Sequence, residues 1–201
     1  GLDSNLVLRA APVYIWLRQA IRNGQLGEIY AFDGDYLYGR RHKVTNGWRG
    51  DVEHYSVMSG GGIHLIDMMM FLLDQRPATV TTCGNRIATK GSAFNYDDFQ
   101  AATFNFPSGL IGRITANFGC AHHHQHVLRV FGTQGTFILD DQGARLLTMR
   151  DPDFEANGLR DTPDEAAKML DYPVLPADKG DLINGFLSAI LENQNLPEQA
   201  Q

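Results

Sequence analysis

The spacing of apolar residues changes at Thr79, and this change constrains the fold more than any other feature of the sequence. Before Thr79 most apolar residues recur at helical spacing, whereas after it they alternate with polar residues. Gly, Pro and Asp residues of the kind that form hairpin turns separate the alternating stretches. We predict strands over Thr79–Arg86, Phe99–Phe106, Leu110–Phe118, Gln125–Gly132, Thr136–Asp140 and Arg145–Arg150. Because short turns join consecutive strands, the sequence predicts an antiparallel meander.

Helices and one long strand make up the other predicted elements. Ala11–Asn23 places its apolar residues on one helical face, with Pro12 near the start and Gly24 at the position of a C-cap. Glu28–Gly39 is rich in Tyr and Phe at a period of two, which predicts a strand with an aromatic face. Further helices are predicted over Ile63–Gln75, Pro163–Leu170 and Asp181–Glu192. Helices segregated from an antiparallel sheet define the α+β class.

Composition and charge exclude several classes of protein. The chain has 17 Lys and Arg against 23 Asp and Glu, and its basic residues are scattered, so we expect no nucleic-acid partner. The most apolar run, Ile63–Leu73, is shorter than the ~20 residues of a membrane span, so we expect no membrane partner. Cys83 and Cys120 are too few for a disulfide framework, which favours a cytoplasmic location. The length of 201 residues predicts a single domain over residues 1–201.

The most specific local pattern is the run SGGGIHLID at residues 59–67. Its three glycines would let the backbone approach a ligand closely, and a helix that begins just after them would present free N–H groups. His64 then falls in the first helical turn, with Asp67 three residues later on the same side. A carboxylate beside an imidazole can orient it and tune its pKa, so His64 and Asp67 are the candidate catalytic residues. The alternative is a glycine turn that leads into a core helix, with His64 bonded to the backbone.

The glycine run is not a nucleotide-binding fingerprint. Neither a GxGxxG pattern nor a Walker motif occurs in the 201 residues. We therefore assign no cofactor-binding residue to this chain.

Four histidines cluster within residues 122–126 (HHHQH). On an extended strand His122, His124 and His126 would share one face and could form an adventitious zinc or nickel site. A zinc site usually draws its ligands from several segments and has second-shell partners, and the sequence shows neither. We therefore assign no metal site and favour a strand whose polar face lines a pocket or an interface.

Residues 40–62 show little periodicity and are rich in aromatic and basic side chains. A long irregular segment inside a compact domain is usually functional, and these side chains suit an anionic or sugar-like small molecule. The alternative is a solvated loop anchored by Trp48. The candidate substrate-binding residues are Tyr38, Arg40, Lys43, Trp48, Arg49, Tyr55 and His124.

Several segments, taken in their order and spacing, resemble the C-terminal domain of the glucose-fructose oxidoreductase, inositol dehydrogenase and MocA superfamily. They are residues 5–12 (NLVLRAAP), 21–29 (IRNGQLGEI), 48–49 (WR), 60–67 (GGGIHLID) and 132–136 (GTQGT). The resemblance implies a predominantly antiparallel, open-faced sheet with helices packed on one face, as in the C-terminal domain of dihydrodipicolinate reductase. It also implies a homo-oligomer, a dimer or tetramer, formed through the open sheet.

The resemblance further implies an enzyme of two domains, in which a separate N-terminal Rossmann domain binds NAD or NADP. His64 matches the catalytic histidine of the family, and Arg9 belongs to the opening segment at the domain junction. The family commonly has Asp four residues before that histidine, where this sequence has Gly60. Asp67, Tyr55 and Lys43 are the alternatives for the missing polar group.

Two functions are compatible with these residues. The first is the substrate-binding and oligomerisation domain of an NAD(P)-dependent oxidoreductase that acts on the CH–OH group of a sugar, cyclitol or related polyol. Because this chain has no Rossmann domain, we expect it to bind neither NAD nor NADP and to be inactive alone. The second is a non-catalytic binding or assembly module that keeps the fold but has lost the catalytic Asp.

Overall fold

The computed structural model describes residues 6–148, 167–178 and 180–192, and within them eight strands form one sheet. The strands are β1 (Ile29–Leu37), β2 (Thr79–Asn85), β3 (Phe99–Asn105), β4 (Ile111–Asn117), β5 (Gln125–Gly132), β6 (Thr136–Asp140), β7 (Gly143–Leu147) and β8 (Ala167–Leu170). Their order across the sheet is β2-β3-β4-β1-β5-β6-β7-β8. Every neighbouring pair is antiparallel except β1 and β4. The predicted α+β class with a predominantly antiparallel sheet is confirmed.

The sheet differs from the predicted meander because β1 lies at its centre. β1 pairs in parallel with β4 on one edge and antiparallel with β5 on the other, so that β4 and β5 are not neighbours. Phe32 and Tyr36 of β1 are 0% and 5% exposed, and a strand buried this deeply needs hydrogen-bonding partners on both edges. Turn residues report only local hairpins, and for this reason the sequence did not reveal a distant strand inserted between two of them.

Four α-helices accompany the sheet in the described residues: α1 (Pro12–Arg22), α2 (His42–Thr45), α3 (Ile63–Leu73) and α4 (Asp181–Leu191). The three longer ones match predicted helices. Shorter helical segments occur at Val7–Ala10, Trp48–Asp51 and Met58–Gly62, the last of which is a π-helix that continues into α3. The segment predicted to be irregular therefore consists largely of short helices. None of the described helices is long and apolar enough to cross a bilayer.

The helix predicted over Pro163–Leu170 is wrong where the structure describes it, because Ala167–Leu170 is the edge strand β8. Pairing with β7 satisfies the backbone of this segment and buries Leu170 to 7% exposure, while Met169 points outward at 58%. Tertiary pairing has overridden local helix propensity here. The first half of the predicted helix lies outside the described residues.

One face of the sheet is covered by helices. Two glycines on this face allow α3 to pack closely: a Cβ at Gly34 would lie 3.3 Å from Leu65 Cδ1, and one at Gly112 would overlap the sulfur of Met69. Leu65 and Met69 are 0% exposed. The expectation of helices packed on one face is confirmed.

The opposite face is polar and partly exposed, and it carries ion pairs between neighbouring strands. Arg113 donates to Asp33 at 2.7 Å, and Arg129 donates to Asp35 at 3.2 Å. Ile111 on the same face is 50% exposed. Because these side chains keep much of their surface exposed, this face is open in the described part of the chain.

Three ion pairs, made by two carboxylates, hold α3 against the N-terminal segment and α1. Arg9 binds both carboxylate oxygens of Asp67, with its Nε 2.9 Å from Oδ2, and Asp67 is only 3% exposed. At the end of α3, Arg18 and Arg22 of α1 bind the carboxylate of Asp74 at 3.0 and 2.8 Å. The position of α3, and of His64 within it, therefore depends on these contacts.

We predict that Asp67→Asn lowers the free energy of unfolding by about 3 kcal/mol, because it removes the buried negative charge that two nitrogens of the Arg9 guanidinium bind. Urea unfolding followed by circular dichroism would measure the loss. The matched control is Asp33→Asn on the open face, where the partner Arg113 side chain is 58% exposed and the expected loss is at most about 1 kcal/mol. Equal losses in the two variants would contradict the prediction.

Candidate functional site

The candidate site lies at the edge of the sheet where β1 and β4 end and β5 begins. Because β1 and β4 are parallel, the residues that follow Leu37 and Asn117 emerge side by side. The antiparallel register with β5 places His126 opposite Tyr36 at the same edge. The π-helix Met58–Gly62 packs against β1 and β4 here, and so brings the start of α3 to this edge.

Each of the three glycines at 60–62 accommodates a side chain of the protein. A Cβ at Gly60 would overlap the hydroxyl of Tyr55, and one at Gly61 would overlap the ring of Tyr36. A Cβ at Gly62 would overlap the sulfur of Met58. The glycines therefore permit close packing of the protein on itself.

The N–H groups at the start of this helix are also already bonded. The Gly60 N–H donates to the Ser56 carbonyl at 2.8 Å, and the Met58 N–H donates to Gln100 Oε1 at 3.0 Å. Ser56 Oγ donates to the same Gln100 oxygen at 2.8 Å. The interpretation that the glycine run presents free N–H groups to a ligand is therefore wrong, because the helix begins at Met58 rather than at Ile63.

Three imidazoles surround the ring of Tyr36, and we call this group with Tyr38 the imidazole–tyrosine cluster. The ring centroid of Tyr36 lies 6.4 Å from His64, 5.1 Å from His124 and 5.2 Å from His126. Tyr38 lies 5.0 Å from His124, and His64 lies 6.1 Å from His126. Residues from β1, α3 and the start of β5 thus meet in one place.

Burial holds this cluster in its uncharged form. It lowers the pKa of His126 to about 3, with the neighbouring His124 and His64 adding to the effect. It also lowers the pKa of His64, which Asp67 partly offsets, and the pKa of His124. The pKa of Tyr36 rises to about 12, mainly through burial. Near neutral pH the three imidazoles are therefore neutral and the Tyr36 phenol is protonated, and both groups can donate and accept hydrogen bonds.

The two candidate catalytic residues have different surroundings. The Nδ1 atom of His64 is buried without a hydrogen-bond partner among the described residues. Both oxygens of Asp67 are instead bound by Arg9. The structure therefore brings His64 into the cluster and gives Asp67 an ion pair with the N-terminal segment.

Four of the candidate substrate-binding residues lie in or beside the cluster. Tyr38 and His124 belong to it, and the guanidinium of Arg40 lies 5.4 Å from the Tyr38 ring centroid. Tyr55 packs 6.4 Å from Phe118, whose ring lies 4.7 Å from Tyr38.

Of the other three, Arg49 is close enough to Tyr55 to lower the pKa of that phenol, whereas Trp48 and Lys43 are exposed. Trp48 is 64% exposed, and Arg49 lies over its ring at 4.7 Å. Trp48 therefore does not anchor the loop, contrary to the alternative interpretation. Lys43 is an exposed residue of α2.

The Tyr55 hydroxyl occupies the space that a side chain at position 60 would take. Its oxygen is buried and makes no well-formed hydrogen bond among the described residues. Burial raises the pKa of Tyr55, while the nearby Arg49 partly lowers it. Because residue 60 lies about one helical turn before His64, this phenol is on the side of the helix that carries the imidazole.

Sequence reasoning missed Tyr36, His126 and Gln100. Tyr36 belongs to the predicted strand with an aromatic face, and His126 belongs to the histidine-rich residues 122–126. Only the register of β1 against β5 shows that these two residues meet. Gln100 lies on β3 and caps a distant helix, for which the sequence carries no local signal.

The predicted common face of His122, His124 and His126 is wrong. The strand β5 begins at Gln125, so residues 122–124 precede it. The rings of His124 and His126 pack 5.0 Å apart in the cluster, whereas Nε2 of His122 lies 3.2 Å from Asp141 Oδ2.

This fold occurs in a family of oxidoreductase domains. The model of the GFO/IDH/MocA C-terminal domain matches residues 14–138, and the chain belongs to this family. The resemblance noted from the sequence is confirmed.

Two named relatives are similar to part of this chain. The chain is 33% identical over 138 residues to the 2,7-anhydro-N-acetylneuraminate hydratase of Escherichia coli, covering 63% of this chain and 34% of that protein. It is 26% identical over 144 residues to glucose-fructose oxidoreductase domain-containing protein 1 of Xenopus tropicalis, covering 66% of this chain and 36% of that protein. The chain thus spans about a third of the length of these relatives.

Solved structures share the fold at low sequence identity. A levoglucosan dehydrogenase in complex with NADH and levoglucosan superposes with a TM-score of 0.69 at 20% identity, covering 96% of this chain and 57% of that chain. An oxidoreductase domain protein from Kribbella flavida gives 0.70 at 16% identity, with 96% and 58% covered.

We predict that Gly60→Ala destabilises the chain by about 1–3 kcal/mol, because its Cβ must displace the Tyr55 ring. Thermal or urea unfolding would measure this change. In a Tyr55→Ala background the same substitution should cost less, since the overlapping atoms are gone. Strictly additive effects in the double variant would show that the two residues do not compete for this space.

Proposed function

We propose that this chain is the substrate-binding domain of an NAD(P)-dependent oxidoreductase that acts on the CH–OH group of a sugar, cyclitol or related polyol. The supporting observation is the imidazole–tyrosine cluster at one edge of the sheet. A polyol is made of groups that both donate and accept hydrogen bonds, and neutral imidazoles and phenols complement such groups without charge. Membership in a family with sugar dehydrogenases adds to this support.

Unpartnered polar atoms at the same edge further support a ligand site. Among the described residues, His64 Nδ1 and His126 Nε2 are buried without a hydrogen-bond partner, and their rings lie 6.1 Å apart in the cluster. A buried polar group left unpaired costs about 1–3 kcal/mol, so two in one cluster indicate a site that selection for function has kept. A bound polyol that shifts these side chains slightly would supply the missing partners.

His64 is the proton-transferring residue in this proposal. When the substrate is oxidised, its hydroxyl gives a proton to the neutral imidazole while its carbon gives a hydride to the nicotinamide. Reduction reverses both transfers. The lowered pKa of His64 keeps the imidazole in the form that accepts the proton. The nicotinamide would be held by a second domain, because no nucleotide fingerprint occurs in this chain.

Tyr55 and Asp67 have distinct supporting roles. The Tyr55 phenol stands where a side chain at Gly60 would be, so it supplies the polar group beside His64. Asp67 acts through its ion pair with Arg9, which fixes α3 and thereby positions His64. Tyr38, Arg40, Arg49 and His124 line the approach to the cluster, and Lys43 and Trp48 make outer contacts with the substrate.

The same residues support a second candidate, a non-catalytic binding or assembly module. Gly60 supplies no carboxylate beside His64, and the carboxylate of Asp67 is already bound by Arg9. In this case the cluster would bind a polyol without transforming it.

We also propose that residues 1–201 form one domain and that it assembles into a homo-dimer or tetramer through the open face of the sheet. Ion pairs such as Asp33–Arg113 are satisfied within the chain, so burying this face would leave few charges unpaired.

The composition supports two further parts of the proposal. Cys83 and Cys120 are free thiols, which favours a cytoplasmic location. The scattered charges favour neither a nucleic-acid nor a membrane partner.

The oxidoreductase proposal predicts that the chain, joined to its nucleotide-binding domain, reduces NAD or NADP with a sugar or cyclitol. His64→Ala should lower kcat by about 10²–10⁴, the usual contribution of a general acid or base. Tyr55→Phe should lower it less, and the exposed His42→Ala should leave it unchanged. Because protonation of His64 removes the base and burial lowers its pKa, kcat/KM should fall on acidification only below pH 6.5.

Absorbance of NADH or NADPH during a substrate scan measures these rates. Undiminished turnover in His64→Ala would exclude the catalytic role. Polyol binding without turnover, with His64 and Tyr55 needed for binding, would instead establish the non-catalytic module. Saturable, tight binding of NADH to the 201-residue chain alone would contradict the assignment of the cofactor to another domain.

The assembly proposal predicts that Ile111→Glu on the open face shifts the chain to a smaller species in light scattering after size-exclusion chromatography. A buried charge without a partner opposes association. Val52→Glu, at a similarly exposed apolar residue outside the sheet, should leave the size unchanged. An unaltered oligomer in Ile111→Glu, or a monomeric starting protein, would refute association through this face.

A further inference from the structure

Outside the imidazole–tyrosine cluster, three side chains converge in a way the proposed function does not use. His122 Nε2 lies 3.2 Å from Asp141 Oδ2, and His123 Nε2 lies 3.4 Å from Asp141 Oδ1. One ligand atom from each of the three residues lies within 4.8 Å of the others. The two imidazole rings stack at 4.3 Å.

Contacts with neighbouring segments hold in place the two stretches that carry these side chains. A Cβ at Gly39 would overlap the carbonyl of His122, so the backbone just after β1 lies directly against this residue. On the other side, Asp140 accepts from the Gln142 N–H at 2.9 Å and from Arg145 at 2.8 Å. Asp140 is therefore engaged within the β6–β7 turn, and the carboxylate of Asp141 faces the imidazoles.

The hydrogen bonding of His122 decides which of its ring nitrogens is a ligand. Its Nδ1 lies 2.9 Å from the His123 carbonyl oxygen, which can only accept, so Nδ1 carries the proton. In the neutral ring Nε2 then directs a lone pair at a carboxylate oxygen 3.2 Å away. Two acceptors at this distance require a positive charge between them, which either a second ring proton or a metal ion can supply.

We propose that His122, His123 and Asp141 form a binding site for zinc or a similar divalent transition metal. Two imidazole nitrogens and a carboxylate oxygen are a ligand set that zinc accepts, and the bond from His122 Nδ1 to a carbonyl is the usual outer-shell support of such a ligand. A proton on His122 would account only for the contact between His122 and Asp141, and would leave the contact between His123 and Asp141 unexplained. A metal ion joins all three groups.

Modest side-chain movement closes the site. Ligand atoms of tetrahedral zinc lie roughly 3.3 Å apart, close to the two measured separations. The side chains of His123 and Asp141 are 68% and 59% exposed, so they can rotate towards a bound ion. Three protein ligands leave one coordination position for water or another ligand. His123 and Asp141 also line a cavity of about 360 Å³, so the ion would lie at its rim.

Isothermal titration of the untagged 201-residue chain with zinc chloride tests this proposal without measuring enzymatic activity. We expect one zinc per chain, with affinity that falls as the pH is lowered because protons compete for the imidazoles. His122→Ala and Asp141→Asn should each weaken binding at least about tenfold. The matched control, His42→Ala, removes an exposed histidine elsewhere and should leave the affinity unchanged.

Cobalt substitution supplies a second readout, since an intense visible absorption band indicates tetrahedral coordination. This band should disappear in His122→Ala. Absence of zinc binding to the wild-type chain would overturn the proposal. So would binding that survives both His122→Ala and Asp141→Asn but is lost in His126→Ala, because the metal would then belong to the imidazole–tyrosine cluster.

Discussion

The structure depends on the pairing of β1 with both β4 and β5. From Phe32 to Tyr36 one face of this strand is buried, so its backbone needs a hydrogen-bonded neighbour strand on each side. Its parallel pairing with β4 brings two strand ends to the same edge, and its antiparallel pairing with β5 adds the histidines there. The imidazole–tyrosine cluster exists because these two registers meet at Tyr36.

Close packing at glycine then shapes the site. Gly60 and Gly61 have no side chains, and the Tyr55 hydroxyl and Tyr36 ring fill the space this leaves. Polar groups are thereby drawn out of water, which lowers the pKa of His64 and His126 and raises that of Tyr36. The result is a neutral group of imidazoles and phenol, and ion pairs such as Arg9–Asp67 stabilise the fold elsewhere.

The histidines of residues 122–126 lie in two different environments. His124 and His126 pack into the cluster and are kept neutral by burial. At His122, hydrogen bonds to the His123 carbonyl and to Asp141 instead raise the pKa. The direction in which each ring points, and not the number of histidines, therefore separates the proposed substrate surface from the proposed metal site.

The sequence by itself determined the three longer helices, nearly all the strand positions and the family, because periodicity, turn residues and short motifs are local. It also identified His64, Tyr38, Tyr55 and His124 as site candidates. Tertiary structure alone decided that β1 divides the meander, that Ala167–Leu170 is a strand, and that Asp67 binds Arg9. It also paired His122 with Asp141. These outcomes depend on contacts between residues far apart in the chain, where pairing and burial outweigh local preference.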